Sequence, residues 1–310
     1  RRSGDIRGRG MISAAVSFRL LPRDGGLALA PGAQAGLAVD ALMTGRRVDE
    51  VRQMLPALFG LCRSVQEWAM ALALGLPLPP LDDLRRDMIR DHLARLCLHL
   101  PPQLGLAPLA LPQGWQAGGR ALRVALFGQD GLPGPGDLAA WSAGPAPFAR
   151  LVAAVQGHFA PGEAVSDLPA MTDPFGDGPV ENSLATRHAG HPLLMAVRGA
   201  YGHGPLVHLL ARLVDLDTLS RGAFPPPRRM AQGAALVPCS RGLCALELRA
   251  AGGIVTRFSR RTPTDHLLMS GGLLAASLAT LPPHKADRAP LLAMILDPCI
   301  PLHLEAGPHA

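Results

Sequence analysis

Apolar residues recur at three- and four-residue spacing over 33–43, 48–57, 65–74, 81–98, 148–159 and 206–219, and again over 265–281 and 287–296. That period predicts amphipathic or buried helices in each stretch. Asp82 and Asp83 fall in the first turn of the 81–98 segment, where the helix dipole favours acids, and Pro77, Pro79 and Pro80 end the helix before it. Alternation is confined to two places. Residues 12–30 alternate weakly around Asp24-Gly25-Gly26, and 245–259 flank Ala250-Ala251-Gly252-Gly253; both read as hairpins. Pro- and Gly-rich stretches at 101–118, 128–147 and 173–179 read as loops, with one short helix among the first two, and Pro225-Pro226-Pro227-Arg228-Arg229 as a stiff surface segment. No internal repeat is visible. The expected class is mainly α with small β hairpins (α+β).

Composition narrows this picture. Hydrophobic residues make up 48% of the 310 positions but aromatics only 4%, so the core must be built from Leu, Ala, Val and Met. A single domain over 11–310 is expected. Residues 1–10 read as a non-native or disordered leader, with Met11 as the start. The formal charge of +6 is half supplied by that leader, through Arg1, Arg2, Arg7 and Arg9 against Asp5. The remainder is mild and does not call for nucleic acid. Arg19, Arg23 and Asp24 interrupt any secretory run, and the apolar stretch 68–78 is shorter than the roughly 20 residues a bilayer span needs. Five cysteines, an odd number without framework spacing, point to a reducing compartment, so a soluble cytoplasmic protein without membrane contact is expected.

The candidate chemistry lies in two half-motifs. Cys62 in Leu58-Phe59-Gly60-Leu61-Cys62 and Cys299 in Asp297-Pro298-Cys299-Ile300-Pro301-Leu302 each look like one thiol of a Cys-x-x-Cys pair, with Phe59 and Leu302 in the other place. Paired thiolates chelate soft transition metals, whereas a single cysteine also serves as a small buried apolar residue. Taken alone, both readings stay open for Cys62 and Cys299; Cys97 and Cys244 read as core. Arg241 either closes a turn before the second hairpin or contacts an anion there. Asp297 either orders the terminal loop or ends a helix before Pro298. Glu181 and Arg187 pair either in the core or at the surface. His188, His191, His203, His208 and His303 read as scattered polar residues. No phosphate-binding glycine loop and no Gly-x-Ser-x-Gly elbow is present.

In order along the chain stand Gly45-Arg46, Pro56-Ala57-Leu58-Phe59-Gly60-Leu61-Cys62, Ala69, Glu181-Asn182-Ser183, Arg187, His191-Pro192, Pro238-Cys239-Ser240-Arg241-Gly242, Pro263-Thr264 and Asp297-Pro298-Cys299. This order resembles the large subunit of nickel–iron hydrogenases over most of the chain after Met11. That family carries Arg-Ile-Cys-Gly-x-Cys early, Ala-Pro-Arg-Gly before a hairpin, Pro-Thr-Thr-Trp-Asn after it, and a terminal Asp-Pro-Cys-x-x-Cys. The departures are Phe59 and Leu302 for thiols, Gln66 for a histidine, and Asp40 for an early glutamate. Two of four thiolates are gone and the chain is far shorter than a catalytic subunit, so the resemblance implies neither nickel binding nor hydrogen turnover, and gives no reason to expect maturation cleavage after Cys299.

The pattern closely resembles that of the hydrogenase expression/formation proteins HupK and HoxV, which look like truncated, cysteine-poor large subunits. That resemblance implies a reduced large-subunit-like fold and a non-catalytic role as scaffold or transient carrier of an iron–dicyanide–carbonyl unit. Partners would be maturation proteins and the immature large subunit. It further implies Cys62 and Cys299 as iron ligands, Arg241 beside a cyanide nitrogen, and Thr264 in the same pocket. In the family, the thiol matching Cys62 bridges nickel and iron, while the one matching Cys299 binds nickel alone, so both on one iron would need relaxed geometry. The alternatives are a metal-free chaperone for the immature large subunit and a degenerate redox subunit related to quinone-reducing complexes.

Overall fold

The computed structural model describes residues 16–34 and 38–306; the expected leader at 1–10 and the start Met11 lie outside the described residues. The fold is mainly helical with two small sheets. The first hairpin forms as expected: β1 (Val16–Arg23) and β2 (Gly26–Gln34) pair antiparallel around Asp24-Gly25, with Gly25 at φ +76°. The helix expected over 33–43 is shorter. Strand β2 runs to Gln34, and the helix is Val39–Met43.

A large helical core surrounds the helix Pro205–Ser220. Pro205 at its first turn has no N–H to leave unpaired, and nearly every residue that follows is buried. Packed around it are Pro192–Tyr201, Pro147–His158, Gly119–Phe127, Leu81–Leu93 and Ala289–Leu296. The 81–98 expectation extends further than its pattern shows. Leu81–Leu93 continues through a π-helical stretch, Ala94–His99, into Leu100–Gln103. The helix expected over 265–281 is two pieces, Pro263–Leu268 and Leu273–Leu278, because Gly271 at φ +69° and extended Gly272 break it.

A second core forms where Arg63–Leu74 packs on a four-stranded sheet in the order β3 (Arg228–Arg229), β4 (Ala234–Cys239), β5 (Gly242–Ala251), β6 (Ile254–Arg261). The expected hairpin over 245–259 is β5–β6, and β4 adds a partner that the alternation did not reveal. A last strand, β7 (Leu302–Ala306), lies parallel to β1 with Val16 opposite Leu302. It ties the segment after Cys299 to the opposite end of the chain. Cys97 and Cys244 are buried, one in each core, as expected. Among the described residues no single helix is long and apolar enough to cross a membrane. One pair, Pro135–Ser142 and Pro147–His158, meets the length and composition test together but bends by 93°, and its Phe148, Leu151, Val152 and Val155 lie in the helical core.

Candidate metal and ligand site

The two cores meet at the turn between β4 and β5. Cys239 pairs with Gly242, leaving Ser240 and Arg241 at the tip. Asn182 clamps this turn through a two-way amide pair: its Nδ2 donates to the Leu243 carbonyl and its Oδ1 accepts from the Leu243 N–H, both at 2.8 Å. Arg187 donates to the carbonyls of Cys239 and Gly242. A Cβ at Gly242 would sit 2.5 Å from Asn182 Oδ1, so the close approach requires glycine. Held this way, Arg241 is neither a free surface residue nor simply a turn closer. Its Nε contacts Oδ2 of Asp297 at 3.0 Å and donates to that residue's carbonyl, and Nη1 donates to Ser240 Oγ. Among the described residues its Nη2 makes no hydrogen bond.

Cys299 follows Asp297-Pro298 after the helix Ala289–Leu296. Thr264, at the start of the helix Pro263–Leu268, holds it twice. Its Oγ1 accepts from the Cys299 N–H at 2.9 Å and donates to Sγ at 3.1 Å. Asp297 ends its helix in the left-handed region, at φ +58°, and is almost fully buried. Burial pushes its carboxyl up, but Arg241, Arg212 and Arg95 outweigh this and hold it below the usual carboxylate range.

Cys62 ends the short turn Gly60–Cys62 and stands just before the helix Arg63–Leu74. Ser64 donates to Asp87, and Arg90 donates to the Leu61 carbonyl, so the turn is tied to the helix Leu81–Leu93. Gln66 Nε2 lies 3.5 Å from the thiol. Burial first, and the nearby Cys299 second, push the Cys62 thiol up to about 11, against the lowering pull of Arg260 and Gln66. Arg260 also stacks on Phe59, with its guanidinium carbon 3.8 Å from the ring centre. A cation–aromatic stack therefore fills the place of the early motif's missing thiol, and Leu302, the first residue of β7, that of the terminal motif's. Asp40 is exposed and feels the charges of Arg260 and Arg261.

A pocket of about 500 Å³ opens beside Arg241, lined by Arg95, His99, Leu61, Cys299 and Leu302 among others. Its size falls in the range of roughly 300–1,000 Å³ usual for small-ligand sites. Behind Arg241 lies a second cavity of about 30 Å³ bounded by Asn182, His208, Arg212, Thr264 and Asp297. At about 10–15 Å³ per water, it has room for about two. Of the residues expected to form a site, Arg241 lines both spaces, Cys299 the larger and Thr264 the smaller; Cys62 lines neither but follows the lining residue Leu61 in sequence and is within electrostatic reach of Cys299. Cys239, buried in the β4–β5 turn, also feels Cys299.

Residues that the sequence did not single out supply most of the charge. Along the helix Pro205–Ser220, His208, Arg212 and Asp215 repeat at spacings of four and three and share one face. Arg212 donates to Asp297 Oδ2 at 2.8 Å and contacts His92 Nδ1 at 3.1 Å. His92 Nε2 contacts Asp215 at 2.8 Å. Since Arg212 can only donate, His92 carries its proton on Nε2 and is neutral; burial first, with Arg212 adding, holds its pKa down despite Asp215. Asp215 also binds Arg187 and His188. Arg187 thus pairs with Asp215, correcting the expected pairing with Glu181. Three charged or polar side chains within the otherwise apolar stretch 206–216 were the signal for this network.

Glu181 meets histidines instead. Its Oε2 lies 2.7 Å from His203 Nε2, and Ser183 donates to Oε1. His208 packs edge-on against His203 at 5.1 Å between ring centres. Burial pushes Glu181 up, but His203, His208 and Ser183 together hold it below its ordinary value. Burial also pushes His208 down to about 4. The expectation of scattered histidines is corrected here: the fold gathers two of the five around one carboxylate.

No protein-family model matches the chain. It is 43% identical over 301 residues to the hydrogenase expression/formation protein HupK of Rhodobacter capsulatus, covering 96% of this chain and all of that protein. Its fold is similar to that of the reduced Ni-Fe-Se hydrogenase of D. vulgaris Hildenborough, with TM-score 0.53 and 11% identity. The reduced, active Ni-Fe-Se hydrogenase of Desulfomicrobium baculatum gives 0.51 and 10%. Each of these two alignments covers 90% of this chain and 95% of the other.

Proposed function

The chain belongs to the family of the hydrogenase expression/formation protein HupK, and from that premise we propose that it carries an iron–dicyanide–carbonyl unit for hydrogenase maturation without turning over hydrogen. The observation behind this reading is that Cys299 and Arg241 line one ligand-sized pocket of a hydrogenase-like fold, with Cys62, next in sequence to the lining residue Leu61, within electrostatic reach of Cys299.

Iron already bearing two cyanides and a carbonyl needs few protein donors, and soft thiolates suit it. Iron(II) with two cyanides and a carbonyl is neutral, so two thiolates would leave a double negative charge. Arg260 beside Cys62 and Arg241 beside Cys299 are placed to balance it. The free Nη2 of Arg241 suits a cyanide nitrogen as acceptor. The high pKa of Cys62 means that iron must displace a proton to bind and that a returning proton favours release. The Phe59–Arg260 stack and Leu302 stand where nickel would need its other thiolates, so nickel is not part of this proposal. The partners would be the maturation proteins that build the unit and the immature large subunit that receives it, in the cytoplasm.

Iron content and maturation provide the test. Chain purified without oxygen from cells making the maturation proteins is expected to hold iron, and Cys62→Ser and Cys299→Ser are each expected to lose it and stop hydrogenase maturation. Full maturation with both variants would defeat the carrier reading and favour a metal-free chaperone. The exposure of Leu58 and Leu61, 42% and 62%, beside Cys62 supports that second reading.

A further inference from the structure

We infer that Glu181, His203 and His208 form a separate site for a divalent late first-row transition cation, of which zinc(II) is the natural probe. Among the described residues, this is the set of three potential ligand atoms from His, Cys, Asp or Glu side chains that lie within 4.8 Å of one another, and all three residues are buried. Two imidazoles and one carboxylate, with no thiolate, form a donor set of the kind that binds such cations with one position open.

An unpaired atom points the same way. His208 Nε2 is buried and makes no hydrogen bond, although buried ring nitrogens ordinarily find partners. A cation would engage the His208 lone pair directly. It would replace the proton now shared between His203 and Glu181.

The backbone around the three ligands is already fixed. The Glu181 N–H donates to Pro169 and its carbonyl accepts from Met171; the His203 carbonyl accepts from Ser166; the His208 N–H donates to Gly204. Ser183 holds the carboxylate oxygen that His203 leaves free, the kind of outer partner that orients a metal ligand. His208 also borders the small cavity behind Arg241, which has room for a water as the remaining ligand. Asn182, next to Glu181, clamps the turn that bears Arg241. An ion on Glu181 would therefore stiffen the clamp on the cyanide-side arginine without touching either candidate iron thiol.

Zinc titration of chelator-stripped protein, read by calorimetry and metal analysis, tests the site. The double variant Cys62→Ser/Cys299→Ser should bind one zinc, and wild type should bind that zinc with similar affinity, any second zinc in wild type being the one the double variant loses. Glu181→Gln and His208→Gln should each weaken it at least about 10-fold, since even outer-shell changes cost that much. No stoichiometric zinc binding, absence of zinc from the cysteine variant, or unchanged binding in both ligand variants would overturn the inference. If the ligand variants do not fold, the cobalt(II) spectrum of the Cys62→Ser/Cys299→Ser variant decides. Ligand-field bands without sulfur-to-cobalt charge transfer support the site, and a charge-transfer band assigns the ion to thiols and overturns it. Because the cysteine variant keeps this site while losing the proposed iron site, failure of one leaves the other standing.

Discussion

Asp297 and Glu181 are equally buried, each 1% exposed, and both lie against the helix Pro205–Ser220, yet their surroundings differ. Asp297 is surrounded by the guanidiniums of Arg95, Arg212 and Arg241, none of which can lose its charge. Glu181 is met by a serine hydroxyl and by two histidines, each of which has a buried ring nitrogen without a hydrogen bond. The first arrangement is closed and orders the turn and terminal loop that carry Arg241 and Cys299. The second is incomplete and can exchange a proton or accept a cation. Burial of a carboxylate therefore does not by itself mark a site; what its neighbours leave unsatisfied does.

Breaking the closed side should cost most. Asp297→Ala leaves buried guanidiniums uncompensated and is expected to destabilise by about 3–5 kcal/mol in denaturant unfolding. A loss below about 1 kcal/mol would mean that the arginines are solvated and the network is not holding the loop.

Acid should act next, and mainly on the open side. His208 titrates near 6.5 when unfolded but at about 4 in the fold. Between those values the unfolded chain binds the proton and the folded chain does not, so stability falls as pH drops through this window and is intact above it. Two and a half pKa units correspond to roughly 3 kcal/mol. His208→Gln should flatten that slope, with the remainder coming from His92, His158 and His191, whose pKa values burial also lowers. Asp215 and Asp297 respond to acid with the same sign but in a lower pH window. With lowered folded values, their contribution persists through that window and is lost only below the ordinary carboxylate range, near about 3.9. A pH-independent melting temperature between 4 and 6.5 would contradict the buried, neutral His208.

Glu181→Gln sharpens the contrast. It keeps the shape while losing the charge, and should cost about 1–3 kcal/mol, the scale of one unsatisfied buried group, well short of Asp297→Ala. Arg260→Ala is the mildest change. Removing the stack on Phe59 should cost about 0.5–1 kcal/mol, but it should also raise the Cys62 pKa further, because Arg260 pulls it down. Slower alkylation of Cys62 at a fixed alkaline pH checks this; faster alkylation would show that Arg260 shields the thiol instead of polarising it.

The difference between the two sides also explains what could be read from the chain. Helical periods and the Asp24-Gly25 and Gly252-Gly253 turns are local, so the helices over 48–58, 63–74, 147–158 and 205–220 and both hairpins were legible with shifts of a few residues. Strand β7 was not, because its pairing with β1 joins opposite ends of the chain. Cys62, Cys299, Arg241 and Thr264 were reached through ordered motifs, but the bond from Thr264 to Cys299 is tertiary. Glu181 sits on an extended segment and His203 on the loop before a helix, so no period could place them together. The polar stripe His208, Arg212 and Asp215 was visible and went unread, since its partners Glu181, Asp297 and His92 come from three other elements.

The central claim is that Cys62 and Cys299 hold the iron unit together with Arg241. Infrared spectroscopy of the chain purified without oxygen alongside its maturation partners tests it most directly. Two cyanide bands and one carbonyl band are expected from wild type, with none from Cys62→Ala or Cys299→Ala and shifted cyanide bands from Arg241→Lys. Absence of those bands from wild type carrying no iron, or their persistence in both cysteine variants, would contradict it.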